Sequence, residues 1–314
     1  MKREELSFDS RDQKTKIHAI QWTPVSVEVR GVIQIIHGMA EHIERYEDFA
    51  KFLGKQGFVV VLEDHLGHGK TASSSSALGY FCEQDPATVL VRDVHRLKKI
   101  VQEKYPGLPY IVMGHSMGSM ILRNYLFRYG QGIDGAVIIG TNASSNATLA
   151  FGKILTGILK LIYGEKHKSE LLNKISFGNC NKKVPQKRTI VDWLSTDPKV
   201  VDRYMGDPLC GFTFTINGFQ TILELFKRMQ NEENLKKIPK DLPLLIISGE
   251  EDPIGEYGKV PKELYDTYLK LGLTKVQLKL YNGARHEVLN ETNKKEVYED
   301  LKNWVLSIVE KATE

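Results

Sequence analysis

The chain has 314 residues, 41% hydrophobic and 26% charged, and its 43 lysines and arginines against 39 acids leave a formal net charge of +4. This balance is that of a globular chain rather than a disordered one, and the length fits one large α/β core carrying an insertion. The opening residues MKREELSFDS are charged, and no apolar run reaches the ~18 residues a membrane span needs, so neither a signal peptide nor a span is expected.

Alternating stretches at 6–8 and 17–22 predict two antiparallel strands ahead of the core. GVIQIIHG at 31–38 is a β-rich run ending in glycine, and Tyr46, Phe49, Phe52 and Leu53 mark one helix face before Gly57. FVVVLEDHLGHG at 58–69 reads as the next strand and its loop. Leu90, Val94, Leu97 and Val101 stripe a second helix, closed by Pro106. YIVMGH at 110–115 is a third buried strand, followed by a helix over 117–129 and a strand at 135–140. Strands that alternate with helices, each a nearly continuous apolar run, predict an α/β, doubly wound, mostly parallel sheet. The alternation lapses from 141 to 237, where helical patterns, notably 149–163, and aromatic loops replace it. It resumes with PLLIISGEED at 243–252, a helix over 261–271, a strand at 276–281 and a last helix bearing Val297, Leu301, Trp304, Val305 and Ile308. Residues 1–140 and 238–314 are therefore expected to form the core, and 141–237 a mainly helical cap.

The chemistry centres on YIVMGHSMGS at 110–119. A strand that breaks at Gly114, presents Ser116 and continues into a helix is the sequence form of a nucleophile elbow. The serine is expected at positive φ, with Gly114 and Gly118 relieving the crowding across the turn. A serine hydroxyl is a poor nucleophile near neutral pH; it needs a base, and the base needs a group that fixes its tautomer. For such elbows the chain order is serine, acid, histidine. Only His167, inside the insertion, competes with His286 as the downstream base. Asp252, deepest in the loop after the strand at 244–248 and followed by Pro253, is the expected acid, with Glu250 and Glu251 as neighbouring alternatives. The attacked carbonyl also needs two amide donors, each worth about 3 kcal/mol of barrier. Met117, next to the serine, and Met39, in the HGMAEH loop, are assigned to this role. His37 and Gly38 let that loop turn, with His37 read as a brace rather than a base.

Other patterns carry less. Three odd, widely spaced cysteines, Cys82, Cys180 and Cys210, suggest neither a disulfide framework nor a zinc motif, and fit a reducing cytoplasm. GHGKT at 67–71 lacks the first glycine of a phosphate loop, and HEVLN at 286–290 lacks the second histidine of a zinc helix. His65 and His68 sit in a glycine loop and are read as structural. No metal or organic cofactor is therefore expected. Between 153 and 188, nine lysines and arginines face only Glu165 and Glu170, so the cap is either a solvated lysine face or a contact for an anionic membrane. No nucleic-acid motif accompanies that charge. The sequence leaves the oligomeric state open.

HGMAEHIERY, DHLGHGKT, YPGLPYIVMGHSMGS, SGEEDPIG and NGARHEVLNE, in this order, resemble the monoacylglycerol lipase and bacterial lysophospholipase family of α/β-hydrolases. The resemblance implies the α/β-hydrolase fold, a Ser116, His286, Asp252 triad, Met39 and Met117 as oxyanion donors, and a cap framing an acyl channel. It also implies that Glu41 and Arg45 support the oxyanion loop; otherwise they are a surface ion pair worth at most ~1 kcal/mol. In VDRYMGDPL, Tyr204 matches a tyrosine that faces the substrate head group, with cap packing as its alternative. Cys210, just beyond, is read as a buried thiol. Leu289 replaces a second histidine that monoacylglycerol lipases carry near the glycerol head, which weakens the glyceride assignment. Expected substrates are carboxylic esters of acyl lipids, lysophospholipids or monoacylglycerols. The alternatives are small esters, thioesters or peptides, a catalytically silent binding fold, or a membrane-docked scaffold.

Overall fold

A computed structural model describes residues 1–313. Eight strands form one sheet: β1 (Lys2–Asp9), β2 (Lys16–Thr23), β3 (Gly31–Ile36), β4 (Phe58–Glu63), β5 (Tyr110–His115), β6 (Gly135–Ile139), β7 (Leu244–Gly249) and β8 (Val276–Tyr281). Their order is β1-β2-β4-β3-β5-β6-β7-β8, with β3 to β8 parallel and β1 and β2 antiparallel. Every residue of β3 to β7 is buried, as their continuous apolar runs require of strands covered on both faces. The first two strands extend beyond the predicted 6–8 and 17–22 through end residues that are charged or, at Thr23, polar. On an edge strand such as β1, charge guards the open hydrogen-bonding row rather than breaking it.

The helices in chain order are α1 (Glu47–Gly54), α2 (Pro86–Lys104), α3 (Met117–Tyr129), α4 (Asn146–Tyr163), α5 (Glu170–Phe177), α6 (Pro198–Gly206), α7 (Ile216–Met229), α8 (Glu232–Leu235), α9 (Lys259–Lys270) and α10 (Lys294–Thr313). Val32, Val59, Val112 and Ile246 share one core with α2, α3 and α9. Their strand neighbours Ile33, Val60, Ile111 and Leu245 pack in a second core with α1 and α10. Successive residues of a strand point to opposite faces, so a continuous apolar run feeds both layers.

The connection from β6 to β7 is helical, and its one strand-like feature among the described residues is an isolated bridge between Lys168 and Thr215. Within it, α7 buries Ile216, Phe219, Leu225 and Met229 in the core shared by α2 and α3, while α4 rests on α7. The helix predicted over 149–163 starts earlier, at Asn146, because Ser145 caps it by accepting the Thr148 N–H. Likewise the helix predicted at 261–271 begins at Lys259, two residues ahead of Pro261, which sits in its first turn.

Candidate active site

β5, third of the parallel strands in the sequence, lies centrally between β3 and β6 and ends one residue before Ser116. Ser116 has φ 53° and ψ −117°, a conformation that L residues adopt only under constraint. Its amide donates to the Ile139 carbonyl at 2.9 Å, tying the turn to the end of β6, and Ser119 Oγ donates back to the Ser116 carbonyl at 2.6 Å. The two flanking glycines have different reasons. A Cβ on Gly114 would lie 2.4 Å from the Gly118 carbonyl oxygen, within the turn itself. On Gly118 it would lie 2.0 Å from the carbonyl of Ile36, so Gly118 lets α3 start against the end of β3.

Two loops at the same sheet end carry the expected acid and base. His286 Nδ1 donates to Asp252 Oδ2 at 3.0 Å, and both side chains are buried. Asp252 is fully enclosed and accepts further from Ser248 Oγ at 3.2 Å and from the Ile254 amide at 2.9 Å, whereas Glu250 and Glu251 are exposed. With Nδ1 committed to Asp252, Nε2 is the free ring nitrogen, and His286 and Ser116 line the same cavity. The 192–195 segment braces this loop: the Glu287 amide donates to the Leu194 carbonyl at 2.8 Å, Arg285 donates to the carbonyls of Asp192 and Ser195, and Trp193 packs 5.2 Å from the His286 ring.

The loop after β3 faces the elbow from the other side. Met39 and Met117 line the cavity, and Met117, first residue of α3, has an amide with no intrahelical acceptor. Glu41 fixes the loop by accepting from the Gly38 amide at 2.6 Å and from Tyr46 Oη at 2.8 Å. Arg45 donates to Glu41 at 2.5 Å and clamps Glu287 with two bonds of 2.8 and 2.6 Å. The group is buried, so it is not a surface ion pair: Arg45, Glu41 and Glu287 side chains are 11%, 4% and 3% exposed. Burial alone would raise the Glu41 carboxyl, but the charge of Arg45 and the bond to His115 hold it well below the usual range. His115 is squeezed in the same way: burial lowers it, yet Glu41 raises it overall, and its Nε2 donates to the His286 carbonyl at 3.3 Å.

His37 is a brace: Nδ1 donates to the Gly38 carbonyl at 2.8 Å and Nε2 accepts the His65 amide at 3.1 Å. Burial, then the neighbouring His68, lower it to about 3, so it stays neutral. His68 accepts the Ala40 amide at 3.3 Å and is lowered by burial to about 4. His68 therefore takes the structural part expected of it, whereas His65, equally buried under the loop, is tied by its backbone amide alone, neither of its ring nitrogens having a hydrogen-bond partner.

The cavity has a volume of about 750 Å³. Its apolar wall includes Met120, Leu194, Phe212, Ile222 and Ile254, and Lys174, Lys182 and Lys187 lie on its polar part. Tyr204 lines it too, but its hydroxyl donates to the Ala40 carbonyl at 3.1 Å and its ring sits 5.0 Å from the Arg45 guanidinium. These contacts are those of the packing alternative, and its place on the cavity wall is the one feature in line with a head-group contact. Leu289 is placed elsewhere. It sits in a short 3-10 turn, packs in the core with Val288 and Val297, and is absent from the cavity wall. Sequence reasoning missed His115, Trp193 and Glu287. No local spacing marks them, because each acts through a partner at least 69 positions away.

A protein-family profile described as serine aminopeptidase S33 matches residues 27–293. The chain is 30% identical over 291 residues to a monoacylglycerol lipase of Mycolicibacterium smegmatis, covering 91% of each. It is 28% identical to human monoglyceride lipase, over 90% of this chain and 84% of that one. A solved structure of a thermostable carboxyl esterase from Bacillus coagulans, in complex with glycerol, superposes with a TM-score of 0.87 at 34% identity, covering 98% and 99% of the two chains. With the parallel sheet and elbow above, these matches establish that the chain belongs to the serine aminopeptidase S33 family of α/β-hydrolases, on its monoacylglycerol lipase-like side, and is a carboxylic ester hydrolase.

Proposed function

We propose that this enzyme cleaves carboxylic esters of acyl lipids, monoacylglycerols or lysophospholipids, through an acyl-enzyme on Ser116. The observation that carries the reading is the hydrogen-bonded Asp252–His286 pair opening onto the same apolar-walled cavity as the elbow serine. Ser116 Oγ attacks the ester carbonyl while His286 Nε2 takes its proton; Asp252 keeps the Nδ1 proton in place and offsets the imidazolium charge. The amides of Met39 and Met117 donate to the oxyanion. Collapse of the tetrahedral intermediate returns the proton to the leaving alcohol, and water, activated by His286, then releases the fatty acid. Residues 141–237 act as the cap over the acyl site. Ser116→Ala should abolish turnover of a p-nitrophenyl ester in purified protein, and retained turnover would overturn the mechanism. With matched head groups, medium or long acyl chains should outperform acetyl. A steep optimum at acetyl would remove the lipid reading.

The same cap is the part of the enzyme that meets the lipid surface. Among the described residues no helix is long and apolar enough to cross a membrane. Yet α4 exposes Phe151, Ile154, Ile158, Leu161 and Ile162, and Lys153 and Lys160 are exposed on the same helix. An apolar helix face beside basic residues supports shallow, charge-assisted docking on an anionic bilayer. Three free cysteines support a reducing, cytoplasmic setting for that contact. Co-sedimentation with vesicles that is indifferent to anionic lipid and to salt would refute the docking.

A further inference from the structure

We infer that His42, Asp207 and Cys210 form a binding site for a divalent transition metal of the Zn²⁺ type, clamping the loop that carries Met39 to the segment after α6. Nothing in the ester chemistry uses these three residues. His42 lies three positions beyond Met39, and Asp207 and Cys210 lie in the turn following α6. Their donor atoms, His42 Nε2, an Asp207 carboxylate oxygen and Cys210 Sγ, all lie within 4.8 Å of one another. The first two are already 2.8 Å apart. Around a tetrahedral zinc with bonds of 2.0 to 2.3 Å, ligand atoms sit about 3.3 to 3.8 Å apart. The cluster therefore reaches ligation by opening one contact and closing the others by no more than about 1–1.5 Å, within side-chain freedom.

The donor set suits this ion class. Imidazole, carboxylate and thiolate are all common zinc ligands, and three protein ligands leave a fourth position for water. Binding balances simply. The proton on His42 Nε2, now directed at Asp207, moves to Nδ1, the thiol proton leaves to solvent, and one proton is released per ion. The neighbouring Arg45 does not present a free positive charge, since Glu41 and Glu287 both pair with it. The two sides of the site are in register without metal: the Ala40 carbonyl accepts both the Gly211 amide at 2.9 Å and the Tyr204 hydroxyl at 3.1 Å. A metal adds a coordinate link to these hydrogen bonds and tightens the cap against the Met39 loop.

The test is a Co²⁺ and Zn²⁺ titration of the full, metal-stripped chain. One equivalent of Co²⁺ should produce a thiolate-to-metal charge-transfer band that Zn²⁺ abolishes by displacement, and calorimetry should find one proton released per ion. The band should vanish in Cys210→Ser and in Cys210→Ala, and the apparent Kd should rise by at least about tenfold in Asp207→Asn and in His42→Gln. Binding should persist in Asp252→Asn, which separates this site from metal captured by the Asp252–His286 pair. Absence of the band, its persistence in both Cys210 variants, or loss of binding in Asp252→Asn would overturn the assignment. None of these readouts depends on esterase activity.

Discussion

Replacing Arg45 by methionine tests whether the charge cluster under the Met39 loop is structural or ornamental. The substitution keeps a long apolar stem but strands two enclosed carboxylates, Glu41 and Glu287, whose side chains are 4% and 3% exposed. Removing one partner of a buried ion pair costs about 3–5 kcal/mol, against at most ~1 kcal/mol for a surface pair. At ~2–4 °C per kcal/mol for chains of this general size, the midpoint should fall by roughly 6–20 °C. Urea unfolding at pH 7 and pH 4 is the assay. The sign follows from Glu41, which the folded protein holds well below its ordinary value. Its stabilisation is present above the unfolded carboxylate range near ~4.3 and is lost as pH falls through the folded value. The variant lacks that contribution, and its two unpaired, enclosed carboxylates take up protons above the ordinary carboxylate range, so its deficit should narrow by pH 4. Adding Glu287→Gln, which removes one stranded charge, should restore part of the loss. A deficit under ~1 kcal/mol at pH 7, or one of unchanged width at pH 4, would refute the reasoning.

Asp252→Asn should lower kcat on the order of 10⁴-fold, the loss expected when a triad histidine is left in the wrong tautomer, while Glu250→Gln and Glu251→Gln leave ester turnover nearly unchanged. Gly118→Ala puts a Cβ 2.0 Å from the Ile36 carbonyl and should destabilise by at least about 2 kcal/mol. Gly157→Ala, in α4 with nothing within 4 Å, should instead stabilise by about 0.5–1 kcal/mol; equal effects in chemical denaturation would contradict the packing argument. His68, lowered to about 4, is neutral when folded and protonated when unfolded at pH 5, so it contributes stability that is lost as pH falls from ~6.5 towards 4. His68→Asn should make the pH dependence of stability shallower over that window by about 1.4 kcal/mol per pH unit, and an identical slope in wild type and variant would exclude it.

Much of this enzyme is written locally. Strand β5 and helix α3 match their predicted bounds because apolar periodicity and the GHSMG turn are short-range signals: the residues that decide them are neighbours. The elbow's positive φ follows from the same few positions. Helix starts at Asn146 and Lys259 are less legible, since a capping hydroxyl carries no hydrophobic period and Pro261, a residue favoured at the first helical position, stands at the third position of its helix. Asp252 was separable from Glu250 and Glu251 only as a preference; burial against Ser248 and His286 distinguishes them in space.

What the sequence alone determined is therefore the order of strands and helices, the elbow, and a short roster of residue types able to do acyl transfer. Tertiary structure decided which of them meet. Arg45 reaches Glu287 across 242 positions, and Tyr204 reaches the Ala40 carbonyl across 164. His42 meets Asp207 across 165. The physical reason is that burial, charge compensation and donor geometry are properties of contacts. Contacts between distant segments are set by how the layers pack on the sheet, which no local pattern of the chain records.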